Sequence, residues 1–299
     1  MKSFLIKGLI VLVIVIAADY LFGFFYKSYL ENLPNSGLSQ TDSYFAINKE
    51  AADVIVLGAS NAKRGYNPEV FEQYGILDMY NAALDGNDMI YHLAVLKSMM
   101  ERRCPSIVIL DIYESCLSGS WLDHLKSHKH MYWDNINIRD MLNNSGVDYY
   151  MRAKAFSSLY IYNSTLTWVF RANMLGNQKK NLRGFDPLKG NKDTNMKLQY
   201  NTWNGQINEK ELNAFHDILS ICRLNGIKLY ICMAPTFSET DASFSNYIRK
   251  EIEGETAAFI DYSNNDYFLT HKELFFDISH LNIDGANEYS RRIAEIINE

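Results

Sequence analysis

The sequence predicts an α/β fold built on a parallel sheet covered on both faces. Two observations carry this. Short strand candidates recur, the β-branched run Val54–Leu57 first, then Leu77–Ala83, Ser106–Ile112, Ile227–Ala234 and Ala257–Tyr262. Stretches of helical periodicity or amphipathicity alternate with them, and strands in that rhythm pair in parallel with helices packed on both sides.

The elements follow in order. Val54–Leu57 ends in Gly58-Ala59-Ser60, so a buried strand runs into a tight turn. Pro68–Tyr74 reads as a short helix. Met89–Arg102 carries apolar residues at helical spacing, including Ile90, Leu93, Leu96 and Met99. The rhythm breaks after Tyr113. From about 114 to 206 the chain is rich in Asn and Tyr, with some helical stretches such as Val147–Met174, and is expected to be an insertion capping the strand ends. The rhythm returns with an amphipathic helix at Glu209–Leu224 that stops at Gly226, a further helix at Asp241–Glu253, and a last helix at Asp284–Asn298 with Asp284 as its expected N-cap.

Before this lies a different segment. Lys2 precedes an apolar stretch from Phe4 to Phe25, interrupted by Lys7 and Asp19 and long enough as a helix, at roughly 33 Å, to cross a bilayer core. Lysines on the N-terminal side predict a cytoplasmic N-terminus and an extracytoplasmic remainder. An uncleaved signal anchor over 1–26 is expected, with cleavage after Val15-Ile16-Ala17 as the alternative. Residues 27–52 read as a linker and lead-in, and 53–299 as the α/β unit. Asp19 is costly inside a span. Either it faces a partner membrane protein or it reaches to the outer surface.

Composition narrows the function. The chain has 299 residues, 47% hydrophobic and 21% charged, enough for one sizeable core. Its net charge of −6 and the lack of a long basic run argue against nucleic acid. The four cysteines, Cys104, Cys116, Cys222 and Cys232, show no CxxC or metal-type spacing. There is no glycine-rich phosphate loop, so no nucleotide cofactor is expected. His124, His128 and His130 with Asp123 are expected to be a solvated face of the insertion rather than a metal site, and Asp85 and Asp88 to serve local turn chemistry. The Lys179–Lys197 stretch reads as a solvated loop.

Ligands of open parallel sheets bind at the carboxyl ends of the strands. Two polar groups fall there: Gly58-Ala59-Ser60-Asn61 after the first strand, and Asp277-Ile278-Ser279-His280 before the last helix. Acyl transfer needs a nucleophile, a base and a residue that fixes the base's tautomer. An Asp three residues before a His can bind Nδ1–H from the same loop and leave Nε2 facing a serine. Among the seven histidines, His280 alone has an Asp at that spacing. Taken singly, Ser60 is equally a helix cap, and DISH reads first as a polar loop with a satisfied histidine.

Together these residues resemble the SGNH (GDSL-type) hydrolase superfamily, in its membrane-anchored, acyltransferase-like branch. The matching blocks are Gly58-Ala59-Ser60, Gly86 within Leu84-Asp85-Gly86-Asn87, and Asp277-Ile278-Ser279-His280 with Leu281-Asn282 and Gly285-Ala286 after it. The likeness covers about 53–112 and 208–299. It implies a flavodoxin-like three-layer α/β/α fold, with Ser60 as nucleophile, His280 as base and Asp277 as its orienter. It also implies an oxyanion hole from the N–H groups of Ser60 and Gly86, with Asn87 or Asn61 as a further donor. The first block reads GAS rather than GDS. The third, Gly-x-Asn-Asp, is replaced by Asp111-Ile112-Tyr113-Glu114. Members of this branch assist multi-pass O-acyltransferases in modifying surface polysaccharide. The implied function is therefore a serine O-acyltransferase or esterase acting on an acylated cell-envelope glycan. A non-catalytic scaffold docked on such a membrane acyltransferase is the alternative.

Overall fold

The computed structural model describes residues 2–34, 36, 38–176, 182–193 and 195–299. Five parallel strands form the main sheet: β1 (Val54–Leu57), β2 (Met79–Asn81), β3 (Ile107–Asp111), β5 (Lys228–Met233) and β7 (Ala258–Asp261). Their order is β2-β1-β3-β5-β7. Renumbered within the sheet this is 2-1-3-4-5, the flavodoxin-like order, and it puts a switch of direction at β1 and β3. A second, two-stranded sheet pairs β4 (Gln199–Asn201) with β6 (Ser238–Thr240).

Strand side chains alternate between two apolar clusters, as a sheet covered on both faces requires. Ile55, Leu57, Val108, Leu110, Leu229 and Ile231 face one cluster. Val54, Val56, Ile109 and Cys232 face the other. Helices α5 (Met89–Met100), α10 (Glu209–Leu224) and α11 (Ser243–Glu251) cover the first face. Helices α3 (Ser60–Gly65), α4 (Pro68–Gln73), α12 (Asp266–Thr270) and α13 (Ile283–Asn298) cover the second. Gly226 ends α10 with φ +66°, a conformation glycine reaches without strain.

Helix α1 (Lys2–Glu31) is 30 residues long, with a window of mean hydropathy 2.4 that the rest of the chain leaves almost bare. By length and composition it suits either a membrane anchor or a signal sequence. Just past its midpoint Asp19 accepts from Ser157 Oγ (3.0 Å), Ser158 N (2.7 Å) and Leu159 N (2.8 Å), at the start of α8 (Ser158–Tyr162). The two N–H donors are unpaired groups of a helix start, which favour a carboxylate, and the Ser157 hydroxyl adds a third bond. The charge in the apolar helix therefore has a partner within the chain, which the sequence did not disclose.

Residues 27–52 hold more than a linker. Helix α2 (Ser39–Asn48) sinks Ala46 and Ile47 fully into the first cluster. The stretch expected as an insertion holds a 3₁₀ helix (Leu122–Met131), α6 (Ile136–Asn144), α7 (Met151–Lys154), α8 and α9 (Leu166–Leu175). Of the Lys179–Lys197 stretch, residues 179–181 and 194 lie outside the described residues.

Candidate active site

The site grows from the turn after β1. Gly58 has φ +151°, and a Cβ there would lie 2.6 Å from Ala62 Cβ and 2.9 Å from Asp111 Cβ. Only glycine fits so close an approach at that φ. The turn delivers Ser60 as the first residue of α3, so its N–H is among the donors that lack an intrahelical partner.

Across the sheet edge the 275–281 loop presents His280. Nε2 lies 2.8 Å from Ser60 Oγ, and Nδ1 lies 2.9 Å from Asp277 Oδ1. The same carboxylate oxygen accepts from Ser279 N (2.9 Å) and His280 N (3.0 Å). This folds Asp277–His280 into an Asx-type turn that fixes the imidazole relative to the carboxylate. The loop is pinned by a Phe275–Leu281 bridge, by Phe276 N donating to His280 O (2.8 Å) and by Phe237 N donating to Ile278 O (2.8 Å). The side chains of His280 and Asp277 are 22% and 33% exposed, open enough for a substrate to reach. A cavity of about 370 Å³ lies before Ser60 and His280, lined also by Asn61, Tyr113, Glu114 and Thr236.

Helix α13 starts one residue earlier than expected, and its cap is Asn282 rather than Asp284. Asn282 Oδ1 accepts from Asp284 N and Gly285 N, both at 3.1 Å, and Nδ2 donates to Glu273 O (2.7 Å) and Gly190 O (3.2 Å). Asp284 sits inside the first turn. The cap thus ties the helix start to the segment that carries His280.

The remaining expected residues divide. Gly86 (φ +62°) lies under the ring of His124, whose Nδ1 a Cβ would meet at 2.6 Å. Asn87 is buried, and its Nδ2 donates to Asp85 O (3.0 Å). It lines a neighbouring cavity, whereas Asn61 lines the one before Ser60. The two loops are joined by Arg64, which donates to both oxygens of Asp85 (2.6 and 2.8 Å) and to Ser60 O (3.4 Å).

Where Gly-x-Asn-Asp was missing, three residues take up roles that the sequence reading had not assigned. Asp111 is buried below Gly58, and Tyr66 Oη donates to it at 2.7 Å. Burial pushes its carboxyl up to about 7. Tyr113 donates to Asp88 Oδ1 (2.6 Å), and burial likewise raises Asp88 to about 7. Glu114 is raised by burial first and by Asp241 second. Burial raises Glu211 to about 8; it accepts from Ile90 N (2.9 Å) at the start of α5. Their signal was slight: an Asp closing an apolar run, and a Glu on a helix face that reads as solvated.

His128 and His130 are not a solvated face. Both are buried, and burial depresses them to about 3 and about 4, so both rings are neutral. Among the described residues no group of His, Cys, Asp and Glu is arranged to hold a metal ion. All four cysteines are free thiols, with Cys104 exposed and the others buried.

No protein-family model matches the chain, and no curated protein matches it. Among solved structures, the chain is similar to a Bacteroides fragilis protein described as a proposed acylhydrolase, at 9% identity and a TM-score of 0.40, over 87% of this chain and 95% of that one. A likeness that distant does not transfer an activity. What stands for this chain is its own geometry: a mixed α/β fold with a five-stranded parallel sheet, a long apolar N-terminal helix, and a serine, a histidine and an aspartate hydrogen-bonded in a row at the sheet's carboxyl edge.

Proposed function

We propose that the chain is an SGNH-like serine acyl-transfer enzyme, anchored by α1 with its α/β unit outside the cytoplasm. It moves or removes an O-linked acyl group on a cell-envelope glycan. The observation that carries this is the row Asp277–His280–Ser60, with 2.9 and 2.8 Å separations. A helix cap would leave Ser60 Oγ on the backbone. Here Oγ is spent on an imidazole whose other nitrogen is held by a carboxylate.

The chemistry follows from those positions. His280 Nε2 takes the Ser60 Oγ proton as Oγ bonds to the acyl carbon. The tetrahedral oxyanion is held by Ser60 N–H and Gly86 N–H, and each such donor contributes about 3 kcal/mol in the transition state. The ester C–O bond breaks, and His280 returns the proton to the leaving alcohol. An acceptor hydroxyl, from sugar or water, then loses its proton to Nε2 and attacks the acyl-enzyme. Ser60 departs with the proton from His280. Asp277 holds Nδ1–H throughout and keeps Nε2 free. A membrane position beside a multi-pass O-acyltransferase would supply the acyl group.

Labelling with a serine-directed fluorophosphonate tests the reading. The full-length wild type is expected to react, and Ser60→Ala to lose the label entirely. A folded wild type that does not react would leave the scaffold role instead.

A further inference from the structure

A second cavity, of about 530 Å³, opens beside Asn87, within the size range of ligand sites, roughly 300–1,000 Å³. The 3₁₀ helix Leu122–Met131 supplies His124, Ser127, His128 and His130 to its wall, and Ser164 and Trp168 come from the 158–175 stretch. Three buried atoms of these lining residues have no hydrogen-bond partner: Asn87 Oδ1, His128 Nε2 and His130 Nε2. Such atoms are costly to bury unmet.

Their chemistry is defined. Asn87 Nδ2 donates to Asp85 O, so its free atom is the carbonyl acceptor. His130 Nδ1 lies 3.0 Å from Ser127 O and must donate there, so in the neutral ring Nε2 is an acceptor. His128 is neutral too, and its Nε2 can take either role. These side chains therefore carry two defined acceptors, and a third atom of either role, for a ligand that brings hydroxyl groups. Trp168, edge-on to His130 at 5.7 Å, adds an aromatic surface suited to the C–H face of a ring. An anion is disfavoured, because Asp85 and Asp123 line the cavity and no Lys or Arg does. Asp85 is held by Arg64, and Asp123 by Lys126 at 2.6 Å, so neither is a spare charge for a cation.

We propose that the cavity beside Asn87, walled by the 122–131 helix, is a subsite for a neutral sugar. The Arg64–Asp85 pair, which touches Ser60 O and borders the cavity, aligns that sugar with the acyl-carrying position at Ser60. This alignment rests on the acyl-transfer reading; the sugar site itself does not.

The test uses the full-length chain in detergent micelles. Saturation-transfer NMR and calorimetric titration are run with glucose, galactose and N-acetylglucosamine, with sulfate as competitor. At least one sugar is expected to bind saturably to wild type and equally to Ser60→Ala. His130→Phe removes an acceptor with little change of shape and is expected to weaken binding at least tenfold. Ser164→Trp, at an exposed lining position, fills the cavity from outside and is expected to do the same while leaving thermal unfolding unchanged. It decides the matter if the buried variant does not fold. No saturable binding by folded wild type, binding that survives Ser164→Trp, or displacement by sulfate each overturns the subsite. Labelling without sugar binding sinks the subsite alone, and sugar binding without labelling sinks the acyl-transfer reading alone.

Discussion

Asp277 and Asp111 both stand at the carboxyl edge of the sheet beside the Gly58–Ser60 turn, and they are held in opposite ways. Asp277 is a third exposed, and one of its oxygens accepts from three N–H groups within its own loop. Asp111 is 1% exposed, takes a hydroxyl from Tyr66, and is pushed up to about 7 by burial. Donors fix a carboxylate as an acceptor, whereas burial favours its neutral form. The difference separates a group suited to stabilising a positive imidazole from one suited to filling a floor. Tyr66 shares that floor with Tyr289, their hydroxyls 3.0 Å apart.

The largest effect on the reaction is expected at the exposed member. Asp277→Asn keeps the shape but lets the imidazole take the wrong tautomer, so phosphonate labelling should slow on the order of 10³–10⁴-fold. The melting temperature should change little, because the side chain is partly solvated. A labelling rate within tenfold of wild type would break the assignment of Asp277 as orienter.

Gly58 joins the two regions, since its missing side chain is what lets the floor rise against the turn. Gly58→Ala is expected to cost about 2–6 kcal/mol, from strain at φ +151° and from overpacking on Ala62 and Asp111. Ser60 would be displaced with the turn, and labelling should fall more than tenfold even in the folded fraction. Unchanged melting and labelling would show that the floor does not set the nucleophile's position.

These two regions were unequally legible in the sequence. The strands could be read because short apolar runs alternating with helical stretches have few other uses, and all five occur where expected, the first over its full length and the other four shortened at both ends. Ser60 and His280 could be paired because the inferred topology sent both to one edge. The floor was hidden. An aspartate near the end of an apolar run carries no sign of its own burial, and nothing local tells that Gly58 and Tyr66 will close over it. Helix α2 was hidden behind Pro34 and by its mixed polarity, and its burial comes from Ile47 and Ala46 meeting a core made elsewhere. His128 and His130 lie among lysines in the sequence, yet Tyr91 and Trp168 cover them in space. The cap at Asn282 was mistaken for Asp284 because both residue types cap well and lie two apart.

That cap gives the third test. Asn282→Ala removes four hydrogen bonds from a buried position and is expected to cost about 2–4 kcal/mol. Since the cap anchors the segment two residues after His280, labelling should slow a few-fold. A loss of stability with no change in labelling would mean that the 275–281 loop holds His280 without help from the helix.

The smallest effect on the reaction is expected at Asp111, where Asp111→Asn should leave labelling within about threefold. Its mark is on stability against pH. The folded carboxyl holds its proton up to about 7, whereas the unfolded one releases it near 3.8. Below 3.8 both states are protonated, and the contribution to stability is fully present. As pH rises from there to about 7 the unfolded chain alone sheds the proton, so that contribution is lost, at no more than about 1.4 kcal/mol per pH unit. Above 7 the folded group ionises too and the slope ends. The asparagine variant has no such titration, so wild type minus variant should fall between pH 4 and 7 and then level. The buried, neutral His92, His128 and His130 act in the opposite sense as pH falls below about 6.5. Both proteins carry them, so they cancel in the difference. Denaturant unfolding of both proteins across pH 4–8 measures it. A flat difference would mean that Asp111 is ionised in the fold, and that the floor, like the loop, holds its carboxylate by donors after all.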